Sequence, residues 1–488
     1  MWEPRFAIMS SIRAMHISPE RCLRVYKKDA RHFFHYLRIG HRWNKYMAHP
    51  PLTHNPHGAQ HAVHSNSGAS VYPVHRGVPI GFTAAASWAQ AYNEAKAVEV
   101  GLPQDRRLID DKPPPKHFPI WGSILDDVWA LDECTSAEDP PGVASKWLED
   151  IAQAWGRDGV LEHEKKAVRG VLKEEVQGVM IDGKDGWAGV SMSKRALLLE
   201  AGLYLLRQQR PLVGEVDRWL GKLSFALSFR ACARSVLQDI YTWLAQHRGR
   251  VKRAYLWPSV RAEMVVSMCL VPFLHSNLRS DWCGRVEASD AAPGGHGRAW
   301  TNMPTAMVAE ASRLCTHKGL HTNLHTEHGL ASCGLCPMQQ VKLPVEHFQW
   351  STAARRGGYK HITLEEAIAL NWSLHDRLKR PSECGQRVVH LVDSAAAAGA
   401  YKKGRSASRR LNGCCRQACA IVLCVLALIP ILSGSQQMQN QQMNLVHVMG
   451  LGLALCALFS LKLPKWLDSI MFLGLIVAGS VRNLGWLG

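Results

Sequence analysis

The sequence predicts an α+β protein of several units, and three observations carry that reading. Residues 119–131 are two apolar runs separated by the adjacent carboxylates Asp126 and Asp127, the pattern of a buried hairpin. Residues 388–394 form a β-branched run that stops at Asp393-Ser394, a strand that delivers a carboxylate at its end. Residues 147–156, 161–171 and 194–207 repeat their apolar positions at helical spacing. The length of 488 residues fits two to four domains, and 47% hydrophobic with 20% charged residues is the composition of an ordinary globular chain.

Charge and cysteine usage narrow the setting. Lysine and arginine total 58 against 40 acidic residues, a formal net charge of +18. That surplus favours a polyanionic partner, either nucleic acid or an anionic membrane surface. The 14 cysteines follow no disulfide framework, and the opening residues are interrupted by Glu3, Arg5 and Arg13 rather than forming a signal peptide. An intracellular location, nuclear or cytoplasmic, is expected.

Two neighbouring carboxylates inside an apolar hairpin cost several kcal/mol if unpartnered. A hard divalent cation such as Mg²⁺, which takes carboxylate oxygens and leaves room for substrate phosphates, offsets that cost. A plain acidic turn is the alternative. Upstream, residues 25–39 read as a strand ending in Asp29, with Phe33 and Phe34 close behind, and Pro79-Ile80-Gly81 opens an Ala-rich helix that contains Gln90.

In this order the segments resemble the palm of reverse transcriptases. The resemblance implies that Asp29, Asp126 and Asp127 hold two Mg²⁺ ions and that Phe33 or Phe34 stacks below the incoming sugar. It also implies that Gly81 and Gln90 underlie the template–primer pair and that Lys165, in the charged run 162–166, lies near the triphosphate. Residues 175–183 resemble the primer-grip strand, residues 213–226 the thumb helix, and the helix-rich stretch 230–283 the connection behind it.

Further on, residues 285–297, 359–374 and 388–394 resemble the opening strand, first helix and ligand strand of ribonuclease H. That resemblance implies metal ligands at Asp290, Glu366 (with Glu365 as the neighbouring alternative) and Asp393. The run from Ala400 to Asn412 is similar to that of DIRS-type retroelements and their protist relatives. Residues 418–432 would supply the fold's late helix and strand. Cys333 and Cys336, with histidines upstream, have a spacing unlike usual zinc sites, and zinc is not expected there. No acidic residue follows Ser394 until Asp468, so the family's fourth carboxylate is missing.

The expected organisation is a palm at 1–190, thumb and connection helices at 191–283, a ribonuclease H-like domain at 284–433 with an insertion at about 300–358, and a hydrophobic tail at 434–488. The implied protein is a retrotransposon RNA-directed DNA polymerase fragment that binds an RNA/DNA template–primer duplex and deoxynucleoside triphosphates. With 28 residues before Asp29 and no fingers region among them, impaired copying is expected. The rival is a basic, non-enzymatic protein anchored in a membrane by helices within 444–488.

Overall fold

A computed structural model describes residues 9–38, 40, 77–78, 82, 84–109, 114–247, 253–314, 348–354 and 361–432. The chain divides into two units, Met1–Gly186 and Trp187–Gly488.

The first unit runs β1 (Cys22–Asp29), α1 (Phe33–Tyr36), α2 (Ala85–Glu99), β2 (Ile120–Ile124), β3 (Asp127–Cys134), α3 (Val143–Arg157), β4 (Val168–Val171), β5 (Lys173–Val176) and β6 (Val179–Asp182). Four of its strands form an antiparallel sheet in the order β2-β3-β1-β4. Period-2 alternation puts Tyr26, Val128 and Ala130 into a core shared with the two long helices. Helix α3 contributes Ala144, Leu148, Ile151 and Trp155, an apolar stripe at helical spacing. Helix α2 meets the same core through the small residues Ala89 and Ala97.

Two local expectations change here. Residues 161–171 form a 3-10 turn (Glu164–Lys166) and then β4 rather than a helix. Pairing with β1 overrides the local periodicity, and Gly170, at φ +74°, fits where a Cβ would press on the Tyr26 ring. Residues 175–183 form a hairpin rather than one strand. Gln177 and Gly178 both take left-handed angles, φ 51° and 81°, the geometry of a tight hairpin turn.

The second unit begins with β7 (Trp187–Gly189), α4 (Met192–Arg207), α5 (Val213–Ala226), a 3-10 segment (Leu227–Val236), α6 (Asp239–His247), α7 (Pro258–Leu270) and β8 (His275–Asn277). It continues with β9 (Arg285–Ala292), β10 (Gly295–Asn302), α8 (Thr305–Leu314), β11 (Gln349–Ala354), α9 (Ile362–Arg377), β12 (His390–Val392), α10 (Ala395–Lys403) and α11 (Arg409–Leu432). The later sheet has the order β11-β10-β9-β12, with β12 parallel to β9 and the other pairs antiparallel.

The segment expected as an insertion therefore opens and closes inside the sheet. Strand β10 pairs with β9 along its whole length, and β11 then pairs with β10. Residues 418–432 continue α11 as helix and do not turn into a strand. Leu411, Cys414, Cys415, Ala418 and Cys419 are all buried, a 3.6-residue stripe that a strand could not present.

Among the described residues no helix is long and apolar enough to cross a membrane. The tail at 434–488, Gly81, and Cys333 and Cys336 lie outside the described residues.

Candidate metal centres

In the second unit three carboxylates arrive from three different elements. Asp290 stands on β9, Glu366 on the second turn of α9, and Asp393 directly after β12. The parallel register sets Val392 beside Ser289, so Asp393 and Asp290 follow at adjacent strand positions. Their ligand oxygens, with one from Glu366, all lie within 4.8 Å of one another, and among the described residues only this triad closes so far.

Asp290 and Asp393 are exposed, whereas Glu366 is 3% exposed. The Ala291 amide donates to Glu366 Oε1 at 3.1 Å and to Asp290 Oδ1 at 2.7 Å. Glu366 Oε2 is buried without any hydrogen-bond partner. Burial pushes the Glu366 carboxyl up to about 7, with Asp393 and Asp290 adding to the rise and the Ala291 amide opposing it. An unsatisfied buried carboxylate oxygen among like charges is an arrangement that a cation relieves. An all-oxygen donor set suits a hard divalent ion such as Mg²⁺, not a soft one.

What seats Glu366 is the face that α9 turns to β10. His296 Nε2 meets Glu365 Oε2 at 2.9 Å. Arg298 pairs with Asp376 at 2.7 Å and lies over the Trp372 ring at 4.6 Å. These contacts, at both ends of the helix, fix its rotation so that Glu366 rather than Glu365 enters the triad. The sequence reading missed His296, although its place one alternation from Arg298 on a strand was the available signal.

The first unit holds the second candidate centre. Asp29 and Asp127 are direct cross-strand partners, and Asp126 precedes Asp127 in the turn. The turn is held from α2. Gln90 Oε1 accepts from the Leu125 amide at 3.0 Å, and Gln90 Nε2 donates to Ser123 Oγ at 3.0 Å. Asn93 Nδ2 donates to the Leu125 carbonyl and is itself oriented by Trp155 Nε1, which donates to Asn93 Oδ1 at 2.9 Å. Leu125 needs that grip, because φ 54° is a left-handed angle that a side chain disfavours.

Burial pushes Asp127 up to about 6; Lys27 opposes the rise, while Asp29 and Asp126 add to it. Asp126 is also raised, by burial first. Asp127 Oδ1 is buried without a hydrogen bond, with Lys27 Nζ at 3.5 Å. Lys166 Nζ sits 2.9 Å from Asp29 Oδ2. The donors again suit a hard cation, but the two lysines hold two of the three carboxylates and the trio stays more open than the other triad.

The remaining predicted site residues divide. Phe33 is buried in the core against Tyr92, and Phe34 stays half-buried beside it. Gln90 is fully buried against the turn. Lys165 is exposed, while its neighbour Lys166 reaches Asp29. The 3-10 turn decides between them, because it presents its last residue toward β1.

No family model and no curated protein matches the chain. Among solved structures it is similar to a foamy viral protease-reverse transcriptase in complex with dsDNA, at 12% identity and a TM-score of 0.38, covering 81% of this chain and 63% of that one. A second is the foamy viral enzyme in complex with RNA/DNA hybrid, at 10% identity and a TM-score of 0.38, covering 86% and 66%. A third, the foamy viral protease-reverse transcriptase dRH in complex with ds DNA, reaches a TM-score of 0.35 at 12% identity over 61% and 43% of the two chains. The chain thus spans between 43% and 66% of the length of these structures.

Proposed function

We propose that the chain acts on nucleic acid by metal-dependent phosphoryl transfer, with a ribonuclease H-like hydrolytic centre at Asp290, Glu366 and Asp393. The observation that carries this reading is the convergence of those three carboxylates on one point with a buried, unpartnered Glu366 oxygen facing it. Bound there, Mg²⁺ would activate water and neutralise charge on the phosphate under attack. The chain's own part is positional. Asp290 and Asp393 stand open to a strand, while Glu366 is held from behind by the Ala291 amide.

Asp29, Asp126 and Asp127 make up the polymerase-like centre of the same proposal, that of an RNA-directed DNA polymerase fragment working on a template–primer duplex. Its copying is impaired. The support for impairment is the Lys166–Asp29 pair and the wider spacing of the trio.

The test uses the full chain with an RNA/DNA hybrid and a primed RNA template. Mg²⁺-dependent cleavage of the RNA strand, lost in Asp290→Asn and Glu366→Gln, is expected, with primer extension near background. Cleavage that survives both substitutions removes the hydrolytic reading. Robust extension abolished by Asp126→Asn removes the impairment.

A further inference from the structure

Two cysteines that neither carboxylate centre uses meet inside the second unit. Helix α11 lies along the 3-10 segment Leu227–Val236 and is tied to it by two side chains. Asn412 Nδ2 donates to the Ser235 carbonyl at 2.8 Å, and Arg416 Nε donates to the same oxygen at 2.9 Å. Positions 412, 416 and 419 fall on one helical face, so Cys419 continues that stripe one turn further on. Side chains three apart eclipse in a 3-10 helix, and Ser235 Oγ donates to the Cys232 carbonyl at 2.7 Å, one turn back. The two elements thereby bring Cys232 and Cys419 together, both as free thiols, with a hydrogen bond between them. Gly404, at φ +75°, closes α10 directly on the backbone of Ala231 and Cys232, where a Cβ would overlap the Ala231 carbonyl.

The surroundings favour a thiolate at Cys232. The hydrogen bond from Cys419 holds the Cys232 thiol below its ordinary range; burial opposes this, and the Arg230 guanidinium and the Ala233 amide add to it. Arg230 Nε is anchored on the Phe273 carbonyl at 3.3 Å, and no carboxylate pairs with Arg230 among the described residues. Cys134, Cys269 and Cys384 are by contrast pushed up by burial, and Cys415, one turn before Cys419 on α11, is pushed up to about 12. The thiolate is the form of cysteine that attacks an electrophile. Cys232 is half-buried and Cys419 buried, so the activated sulfur is also the one nearer solvent.

We infer that Cys232 and Cys419 form an oxidant-reactive dithiol site whose substrate class is small hydroperoxides. The Cys232 thiolate attacks one oxygen of hydrogen peroxide. The O–O bond breaks, hydroxide leaves and is protonated to water, and the sulfur is oxidised to a sulfenic acid. The Cys419 sulfur then attacks the Cys232 sulfur, and its proton leaves with the sulfenic hydroxyl as a second water. Two thiols and one peroxide give one disulfide and two waters, with two electrons passing from sulfur to oxygen. The new bond ties α11 to the 3-10 segment, and a dithiol reductant reverses it.

The test uses the full chain, reduced beforehand, with hydrogen peroxide as the probe. After alkylation of the remaining thiols and proteolysis, mass spectrometry should find a peptide pair joined through Cys232 and Cys419. The pair should be absent without peroxide and lost on treatment with dithiothreitol. Oxidation should raise the melting temperature by at least about 5 °C, since the bond closes a long loop. Cys419→Ser should halt the sequence at the sulfenic acid, which dimedone labels at Cys232. In the parent, iodoacetamide at pH 7 should modify Cys232 at least about tenfold faster than Cys415, and Arg230→Gln should shrink that ratio. No joined peptide from a parent chain that still unfolds cooperatively overturns the site, as does a disulfide from Cys232 or Cys419 to a different cysteine. Equal alkylation of Cys232 and Cys415 overturns the role of Cys232 as the attacking sulfur. None of these readouts involves nucleic acid, so failure of hybrid cleavage leaves the dithiol site standing.

Discussion

Substituting Gln90 by Leu tests whether α2 holds the Asp126–Asp127 turn in its working shape. The side chain is fully buried, so the apolar replacement keeps the volume and removes only the amide. Each group bonded to Gln90 then loses that hydrogen bond; Glu94 Oε1 keeps Arg107, and the Ser123 carbonyl loses a long contact, so the main losses are at the Leu125 amide and Ser123 Oγ. At about 1–3 kcal/mol for each buried group left unsatisfied, the first unit should lose about 2–6 kcal/mol. Without that grip Leu125 should abandon φ 54° and carry Asp126 away from Asp29. Leu125→Gly removes the left-handed penalty of about 1 kcal/mol, so the turn should survive loss of the amide better in the double variant. The assay is urea unfolding followed by fluorescence, for which Trp121, Trp129 and Trp155 are fully buried reporters in this unit. A coupling of about 1 kcal/mol between the two substitutions is expected. Strictly additive losses, or an unchanged midpoint for Gln90→Leu, would show that the turn holds itself.

Further outcomes follow from the second unit. Glu366→Gln should raise the melting temperature in EDTA, because an unpartnered buried charge is gone, and should abolish the rise that Mg²⁺ gives the parent; calorimetry reads both. His275 and His390 are each pushed down to about 4 by burial, against an ordinary 6.5. Between those values the unfolded chain binds protons that the folded chain refuses. Stability is therefore full above about pH 6.5 and is lost as pH falls toward 4, by about 3 kcal/mol for each histidine. Urea midpoints from pH 7 to 4.5 should show this slope, and His275→Gln should flatten it. Gly404→Ala, which combines a left-handed angle with overlap on Ala231, should cost more than about 2 kcal/mol by the same unfolding assay.

Much of this was legible in the sequence where a carboxylate ended an apolar run. Asp29, Asp126, Asp127 and Asp393 stand at or beside strand ends, and Asp290 two residues inside one, because period-2 patterning and turn position follow from local residue types. Glu366 was legible with Glu365 as its neighbouring alternative, and the contact that separates them comes from His296, 69 residues from Glu365 in sequence. Lys165 and Lys166 were indistinguishable for a similar reason, since a charged run has no period and its 3-10 turn forms against β1. Gln90 has the composition of a substrate contact, and only the packed turn reveals that its amide is occupied. Residues 161–171 and 418–432 were misassigned because short apolar spacings fit helix and strand alike, and tertiary pairing decides.

Side by side on one helix, Glu365 and Glu366 differ chiefly in company. One is claimed by an imidazole, while the other keeps one oxygen unclaimed. Histidine 296 therefore acts as a selector, and removing it would offer α9 two rival seats about 100° apart around its axis. A chain altered there would keep every acidic ligand yet lose the rule for which one faces the cation.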